Sequence, residues 1–242
     1  MLTLLTMLEK NTAPRRYHHG SLGHALVAAS RAEIERWGYE SLSLRDLAAA
    51  AGVSEAAPYR HFKDKRALLA TLATEGFRDL EKRALTTIAP ERTPISRMTA
   101  GARAYLQFAD QCPQLFRLMF VSDLLTTKGP RDPVFVQVAN KFHVQFEALV
   151  AGICRAKDDK TVKAASLAVW SILHGYALLR MGNRLMPFMK GPLSDEELCG
   201  TILAAAVASP ASIGFPRGRS TSDQNGHARR VNVGRGVKGK PQ

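Results

Sequence analysis

The amino-acid sequence predicts an all-α protein, on three observations. Apolar residues recur near the 3.6-residue helical period from about residue 21 to residue 209. Helix-capping pairs of the form Ser-x-x-Asp at Ser43 and Ser-x-x-Glu at Ser194 punctuate that pattern. No run of alternating apolar and polar residues bounded by turn residues competes with it. We therefore expect a helical protein without a β-sheet.

The N-terminal helices are short and closely spaced. Apolar residues at helical spacing over 22–37, with Gly38 as a stop signal, predict the first helix. A second helix begins after Ser43 and breaks at Gly52, and Ser54 caps a third that runs through residue 62. A long fourth helix then begins near Lys65.

Proline-containing boundaries divide the rest of the chain. The predicted helices span residues 95–112, 113–120, 133 to about 155, 161 to about 185, and 194 to about 209. The segments between them hold the Pro, Gly and Asp residues that are typical of turns.

The composition is that of a globular protein with a basic end. Of 242 residues, 45% are hydrophobic and 23% are charged, which excludes a wholly disordered chain and a disulfide-built mini-protein. The net charge of +13 predicts a polyanionic partner. Nearly half of it lies in residues 210–242, a segment rich in Gly and Ser with one acid, Asp223. We expect this tail to be disordered.

Several common functional classes lack their sequence signals. The three cysteines, Cys112, Cys154 and Cys199, are widely spaced and form no Cys-x-x-Cys pair, so neither a zinc ribbon nor a redox dithiol is predicted. Unpaired thiols suit a reducing cytoplasm. The apolar start at residues 1–8 lacks a basic leader, and we expect no signal peptide and no membrane span.

No constellation predicts a metal site or a catalytic centre. The histidines at 18, 19 and 24 have no acid or thiol placed to complete a metal site. The sequence has neither a His-Glu-x-x-His nor a Gly-x-Ser-x-Gly motif. In the tail, the Gly-x-Gly-x-x-Gly run at residues 234–239 follows no strand and opens no helix, so it predicts no phosphate loop. We expect no cofactor, no metal and no enzymatic activity.

Residues 44–62 have the pattern of a helix-turn-helix. Ala48 is small where two helices would cross, Gly52 permits the positive φ of the turn, and Val53 can fill the space between the helices. In such a motif the N-terminal residues of the second helix face base edges in the major groove. These residues are Ser54, Glu55, Ala56 and Ala57.

Flanking polar residues complete an electrostatic footprint for DNA. Tyr59 and His61 suit phosphate oxygens, and Lys65 would meet a phosphate at the start of a long helix. Arg45 can reach a phosphate or a guanine, and Arg15 and Arg16 can act as a flexible basic arm. The combination favours DNA binding over an ordinary αα-hairpin.

The stretch from residue 17 to residue 69 resembles the DNA-binding domain of the tetracycline-repressor (TetR) family of bacterial regulators. The matching segments are 43–48, 51–54 and 58–65. The resemblance implies an all-helical homodimer that binds a pseudo-palindromic double-stranded DNA operator. The family's DNA-contacting positions fall here on Arg45, Glu55, Ala57, Tyr59, His61 and Lys65. The acid at Glu55 is a departure, because it faces phosphate-rich DNA.

The C-terminal half resembles the regulatory domain named after a Trp-His-Gly signature, in segments 101–105, 115–120 and 170–175. This resemblance implies that the last two helices pair with their copies in a four-helix bundle. It also implies a pocket whose small-molecule effector shifts the spacing of the DNA-binding heads. The candidate lining residues are Tyr105, Phe108, Phe116, Met119, Phe120, Phe142, Phe146, Trp170 and His174. Each of them alone equally suits an ordinary core.

The prediction divides the chain into a flexible N-terminus (1–14), a helix-turn-helix domain (15–75), a ligand-binding and dimerisation domain (76–209) and a basic tail (210–242). The predicted function is a cytoplasmic transcription factor, a repressor released by a small, partly apolar ligand. Two alternatives stay open at this point. One is an architectural protein that binds DNA without sequence preference, and the other is a helical enzyme.

Overall fold

The computed structural model describes residues 19–125, 132–154, 158–185 and 194–207, and every regular element within them is helical. The elements are α1 (His19–Trp37), α2 (Leu44–Ala50), a 3₁₀ helix (Pro58–Arg60), α3 (Lys65–Ile88), α4 (Pro94–Gln111), α5 (Pro113–Phe120), a second 3₁₀ helix (Asp123–Leu125), α6 (Pro133–Ile153), α7 (Asp159–Met181) and α8 (Asp195–Val207). The predicted all-α class is confirmed. The N-terminus to residue 14, the arm at Arg15 and Arg16, and the tail lie outside the described residues.

Polar side chains begin several of these helices as the sequence predicts. At Ser194 the capping box is complete, since the Ser194 N–H donates to the Glu197 carboxylate and the Glu197 N–H donates to the Ser194 hydroxyl. At Ser43 the hydroxyl accepts a bond from the Asp46 N–H at 3.4 Å. The helix predicted to end near residue 185 ends at Met181, because Asn183 has a φ of 50°.

The long helix α3 organises the fold. It packs against α1, α4, α5 and α6, and it buries Leu68, Leu72, Phe77 and Leu80 along its length. Since α3 runs without a break through residues 75 and 76, the two predicted domains share one helix. The described residues all belong to one compact unit that extends to Val207.

A glycine lets α3 and α5 approach closely. A Cβ atom at Gly76 would lie 2.5 Å from Sδ of Met119 and 3.2 Å from Cγ of Leu115, both of which are fully buried. We expect Gly76→Ala to destabilise the protein by about 1 kcal/mol, because overpacking costs about 1–3 kcal/mol and the gain in helix propensity returns about 1 kcal/mol. Urea unfolding would measure this. Gly152→Ala provides the control, because its Cβ would lie at an ordinary contact distance of 3.6 Å from Cβ of Pro94, and this substitution should not destabilise the protein.

By length and composition alone, α7 is apolar enough to cross a membrane, with a mean hydropathy of 1.3 over 18 residues. A single helix of this kind is weak evidence for a membrane span, because helices that pack within soluble proteins pass the same test, so it does not overturn the expectation of no span. In the fold, α7 packs against α4, α6 and α8, yet only 28% of its 18-residue apolar stretch is buried within the chain. Three of its large aliphatic side chains, Leu167, Ile172 and Leu179, are exposed. The helix therefore presents an apolar face that the described residues do not cover.

The cysteines are separate and buried. Cys112, Cys154 and Cys199 all carry free thiols, as their spacing predicts. Burial raises the pKa of the Cys199 thiol to about 11. This thiol therefore stays protonated and unreactive at neutral pH.

Candidate nucleic-acid interface and effector cavity

The helix-turn-helix begins with α2 and a tight turn. Gly52 has a φ of +64°, which glycine adopts without strain. Ala48 is fully buried, and its carbonyl accepts a bond from the Val53 N–H at 3.0 Å. The turn therefore forms as the residue types predict.

The predicted third helix over residues 54–62 is not a regular α-helix. Residues 54–57 form a turn, and Pro58–Arg60 form a 3₁₀ helix. The cause is Pro58, which lacks the N–H that would bond to the Ser54 carbonyl in an α-helix. That carbonyl instead accepts from the Ala57 N–H at 2.9 Å, the shorter span typical of a 3₁₀ turn.

Most of the predicted DNA-contacting side chains lie at the surface of this segment. Exposed are Arg45, Ser54, Glu55, Ala56, Tyr59 and His61. Ala57 and Lys65 are half-buried, and Ala57 packs against the hydrophobic core. Tyr59 keeps 55% of its surface exposed, which is high for a large aromatic residue.

Three of these side chains already have partners within the chain. Lys65 Nζ donates to the backbone carbonyl of Glu40, in the α1–α2 connection. The His61 ring packs beside Gly23 of α1, where a Cβ would meet its Nδ1 at 3.2 Å. Arg45 Nε lies 3.1 Å from a carboxylate oxygen of Glu55. These contacts set the positions from which the side chains would reach DNA.

A second feature is an apolar cavity of about 350 Å³ between α3, α4, α6 and α7. Four of the predicted lining residues line it: Tyr105, Phe142, Phe146 and Trp170. Its size is at the lower end of ordinary small-molecule sites. The remaining lining is largely aliphatic, including Leu80, Leu85, Ile88, Met98, Leu149 and Leu173.

The other predicted lining residues lie behind the cavity wall. Phe108, Phe116 and Met119 are fully buried in the core. Phe120 contacts the rings of Trp170 and Phe142, with centroids 5.4 and 6.3 Å apart. Helical spacing alone cannot separate core-facing from cavity-facing positions, because both are inward positions of the same helices.

His174 lies among aromatic rings beside the cavity. Its ring stacks on Trp170 and on Phe116, with centroids 5.5 and 5.6 Å away. The hydroxyl of Tyr105 lies 2.8 Å from Nδ1 of His174. Burial raises the pKa of Tyr105 well above its usual value and lowers the pKa of His174. At neutral pH both groups are therefore uncharged, and the Tyr105 hydroxyl shares a hydrogen bond with Nδ1 of a neutral imidazole.

This arrangement predicts a pH-dependent stability. Since the pKa of His174 is lower in the folded chain than in the unfolded chain, where it is about 6.5, the unfolded state binds the proton first as pH falls. We expect the free energy of unfolding to decrease below about pH 6.5, until the folded-state pKa is reached. His174→Gln keeps an acceptor for Tyr105 and should flatten this dependence. Urea titrations at several pH values between 5 and 8 would compare the two proteins. Equal slopes would show that His174 does not contribute.

Polar groups that the sequence analysis missed lie at the edge of the cavity. The carboxylate of Glu81 accepts from Lys141 Nζ at 2.7 Å and from Gln145 Nε2 at 2.6 Å. The bond from Lys141 lowers the pKa of Glu81 below its usual value. Arg97, another lining residue, is exposed. Lys141 and Gln145 lie 60 and 64 positions after Glu81 in the sequence, so no local pattern could have revealed this cluster.

The short helix α5 connects the cavity wall to the helix-turn-helix. Near its C-terminal end, the rings of Phe116 and Phe120 contact Tyr105 at 5.3 and 5.7 Å. At its N-terminal end, the carboxylate of Glu35 in α1 accepts from the backbone N–H groups of Gln114 and Leu115 at 3.1 and 3.0 Å. A helix N-terminus favours such a carboxylate.

An ion-pair cluster forms a second link between α1 and α3. Arg31 of α1 lies 2.6 Å from Asp79 of α3, and Arg83 lies 3.0 Å from the same carboxylate. Burial alone would raise the pKa of Asp79, but the bonds from Arg83 and Arg31 lower it overall. Arg83 also donates to Gln111 at the end of α4. An ion pair thus ties α1 to α3, and Arg83 extends the same cluster to the end of α4 through the amide of Gln111.

Both halves of the chain match known family models. Residues 26–72 match the model described as "Bacterial regulatory proteins, tetR family", and residues 98–204 match "Tetracyclin repressor-like, C-terminal domain". The chain belongs to the TetR family. Its predicted family resemblance is confirmed, and so is the expectation that it is not an enzyme, because this is a family of regulators.

One curated TetR-family relative is an HTH-type transcriptional activator, FasR of Mycolicibacterium smegmatis (strain ATCC 700084 / mc(2)155), which is 31% identical over 134 residues. The match spans 54% of this chain and 57% of the relative, little more than half of each.

Solved structures share the TetR fold over most of the chain. A protein of unknown function from Rhodococcus sp. RHA1 is 29% identical, with a TM-score of 0.66 over 79% of this chain and 96% of that chain. AibR, in complex with isovaleryl coenzyme A and operator DNA, is 19% identical, with a TM-score of 0.54 over 76% of this chain and 97% of that chain.

For this TetR-family chain, the described residues contain no cluster of three or more His, Cys, Asp or Glu side chains that could hold a metal ion. Of the predicted histidine group, His18 lies outside the described residues, and His24 is exposed on α1. The features that remain as candidate sites are the helix-turn-helix surface and the apolar cavity.

Proposed function

We propose that the protein is a cytoplasmic, homodimeric transcription factor that binds a pseudo-palindromic operator and responds to a small molecule in the apolar cavity. The observation that carries this proposal is the exposed surface of the helix-turn-helix, on which Arg45, Tyr59 and His61 flank the groove-facing residues. In this motif class, such an element docks in the major groove, and phosphate contacts fix its register.

The proposal of a homodimer rests on the apolar face of α7 that the described residues leave exposed. Leu167 and Leu179 are 67% and 41% exposed, and no neighbouring atom of the described residues lies within 4 Å of the place where a Cβ of Gly175 would be. A helix from a second copy can therefore approach closely at this point. A two-fold dimer would present two heads to half-sites about one helical turn, roughly 34–36 Å, apart.

The effector is proposed from the chemistry of the cavity. Its lining is aromatic and aliphatic, with Glu81, Arg97 and Gln145 as polar groups. Such a lining favours a small, partly apolar molecule. AibR, with the same fold, has been crystallised with isovaleryl coenzyme A and operator DNA. We expect the protein to be a repressor and ligand binding to relieve repression. The alternative is a transcriptional activator, as the FasR relative is named.

Selection of fragmented genomic DNA on the purified full-length protein at about physiological salt tests the proposal. Nonspecific dissociation constants are only about 10⁻⁴–10⁻⁶ M under those conditions, so a specific regulator should enrich one or a few palindromic sites. Uniform, salt-sensitive recovery without a motif would contradict the proposal and favour an architectural DNA-binding protein. Turnover of a cavity ligand would favour a helical enzyme.

Lys65→Ala tests how the protein docks on a selected operator. Lys65 begins α3 beside the proposed DNA-binding segment, and its bond to the Glu40 carbonyl holds its ammonium group in place. In the docked protein this positive charge would lie near one phosphate. We expect the substitution to weaken binding across sequences and to reduce the slope of log K against log salt by about one. Tyr59→Phe should also weaken binding, since it removes a hydroxyl suited to a phosphate. Lys82→Ala, an exposed position farther along α3, is the matched control and should leave the slope unchanged.

A further inference from the structure

Arg45 and Glu55 form an ion pair on the proposed DNA-binding surface. Arg45 belongs to α2, Glu55 to the turn before the 3₁₀ helix, and the Arg45 Nε lies 3.1 Å from a carboxylate oxygen of Glu55. The side chains are 75% and 70% exposed. Exposed pairs of this kind contribute little to stability, so the pair has little value as a structural link.

An acid at this position needs a partner in the DNA complex. Glu55 would face a groove lined by phosphates, which repel it, and by base edges, most of which present acceptors. The amine at N4 of cytosine is the base-edge donor that a carboxylate accepts from, whereas an arginine donates to O6 and N7 of guanine. The two side chains thus have the chemistry to read the two halves of a G·C pair.

Their separation limits which bases they can read. Groups that touch each other in the free protein can reach bases only on one pair or on neighbouring pairs, since stacked pairs are about 3.4 Å apart. We propose that Arg45 and Glu55 together read one G·C position in each half-site, with Arg45 on the guanine and Glu55 on the cytosine amine. This inference rests on the proposed function, because it specifies what the helix-turn-helix reads.

The ion pair in the free protein also affects binding to nonspecific DNA. While the pair is intact, Glu55 neutralises the charge with which Arg45 would bind any phosphate. Where a nonspecific duplex places another base at that position, no cytosine amine replaces Arg45 as the partner of Glu55. The pair therefore weakens binding to wrong sequences, which is how a repulsive group produces specificity.

The test uses the full-length wild-type protein and the variants Glu55→Gln, Arg45→Gln and the double variant. An operator is first selected from random duplex DNA at about physiological salt. Affinities are then measured for that operator, for versions with each G·C pair of the half-site changed to A·T, and for an unrelated duplex. Glu147→Gln removes the same charge from a carboxylate that contacts His143 on α6 and controls for net charge.

In the wild type we expect one G·C position at which substitution costs about 5- to 150-fold in affinity, the range for a base-specific contact. Both single variants should relax that same position, and the double variant should relax it no further. Glu55→Gln should also bind the unrelated duplex several-fold more tightly, which Glu147→Gln should not. Two results would overturn the inference: single variants that relax different positions or none, or Glu55→Gln with unchanged nonspecific affinity. A wild-type protein that selects no sequence at all would overturn the proposed function as well.

Discussion

Replacing Leu167 with glutamate is expected to separate the proposed homodimer into single chains and to lower operator affinity by about 100-fold or more, because the two linked half-site contacts are lost. Leu167 is 67% exposed on α7, the helix with the uncovered apolar face. In a four-helix bundle of α7, α8 and their copies, that side chain would be buried. A buried carboxylate without a partner is strongly unfavourable.

Sedimentation equilibrium and operator titration measure the two parts of this result. The variant should sediment with the mass of one chain and should keep its helical circular-dichroism signal, since Leu167 contributes little to the core of its own chain. Val144→Glu is the matched control, because Val144 is a similarly exposed aliphatic residue (63%) on α6. If Leu167→Glu stays dimeric with unchanged operator affinity, the dimer forms through another surface.

Removing the Glu35 carboxylate is expected to have the second large effect. Glu35→Ala leaves the N–H groups of Gln114 and Leu115 without their acceptor at the start of α5. Hydrogen bonds to a charged group contribute about 1.5–3 kcal/mol, and partial exposure reduces this, so we expect a loss of about 2 kcal/mol in the free energy of unfolding. The link between the cavity wall and the DNA-binding head should weaken as well.

Two measurements distinguish these consequences. Urea unfolding reports the stability, and amide hydrogen exchange reports local opening at the N-terminal turn of α5, which should become faster than in the rest of the body. Glu33→Ala, an exposed acid on the same helix, controls for the change in charge. Unchanged exchange at Gln114 and Leu115 would mean that Glu35 does not hold α5 in solution.

Local sequence signals were sufficient for most of the fold. Proline at the first turn, capping hydroxyls and carboxylates, and glycine at the ends set helix boundaries through groups within a few residues of each other. For that reason α5 was predicted with its observed bounds, and α4 within one residue at each end. The helix after Gly52 was predicted wrongly, because the effect of one missing N–H at Pro58 was underestimated.

The candidate sites depended on contacts that sequence spacing does not contain. The residues proposed to face DNA lie within one short segment, so a local motif was enough to nominate them, but it did not reveal the Arg45–Glu55 pair. The cavity is built from four helices, and its lining residues extend from Leu80 to Leu173 along the chain. Whether Phe108 or Phe142 faces empty space depends on how those helices are rotated against one another, which only the packing determines.

The continuity of α3 has a mechanical consequence. Its 24 residues form a rod about 36 Å long at 1.5 Å per residue. One end carries Lys65 beside the DNA-binding segment, and Ile88 lines the cavity at the other. When a rigid helix tilts about one end, the displacement of its other end grows with its length. A rotation of about 5° at the cavity would therefore move the far end by about 3 Å. A displacement of that size approaches the rise of one base pair, so in the proposed dimer a small adjustment around a bound molecule would be enough to move each DNA-binding domain out of register with its half-site.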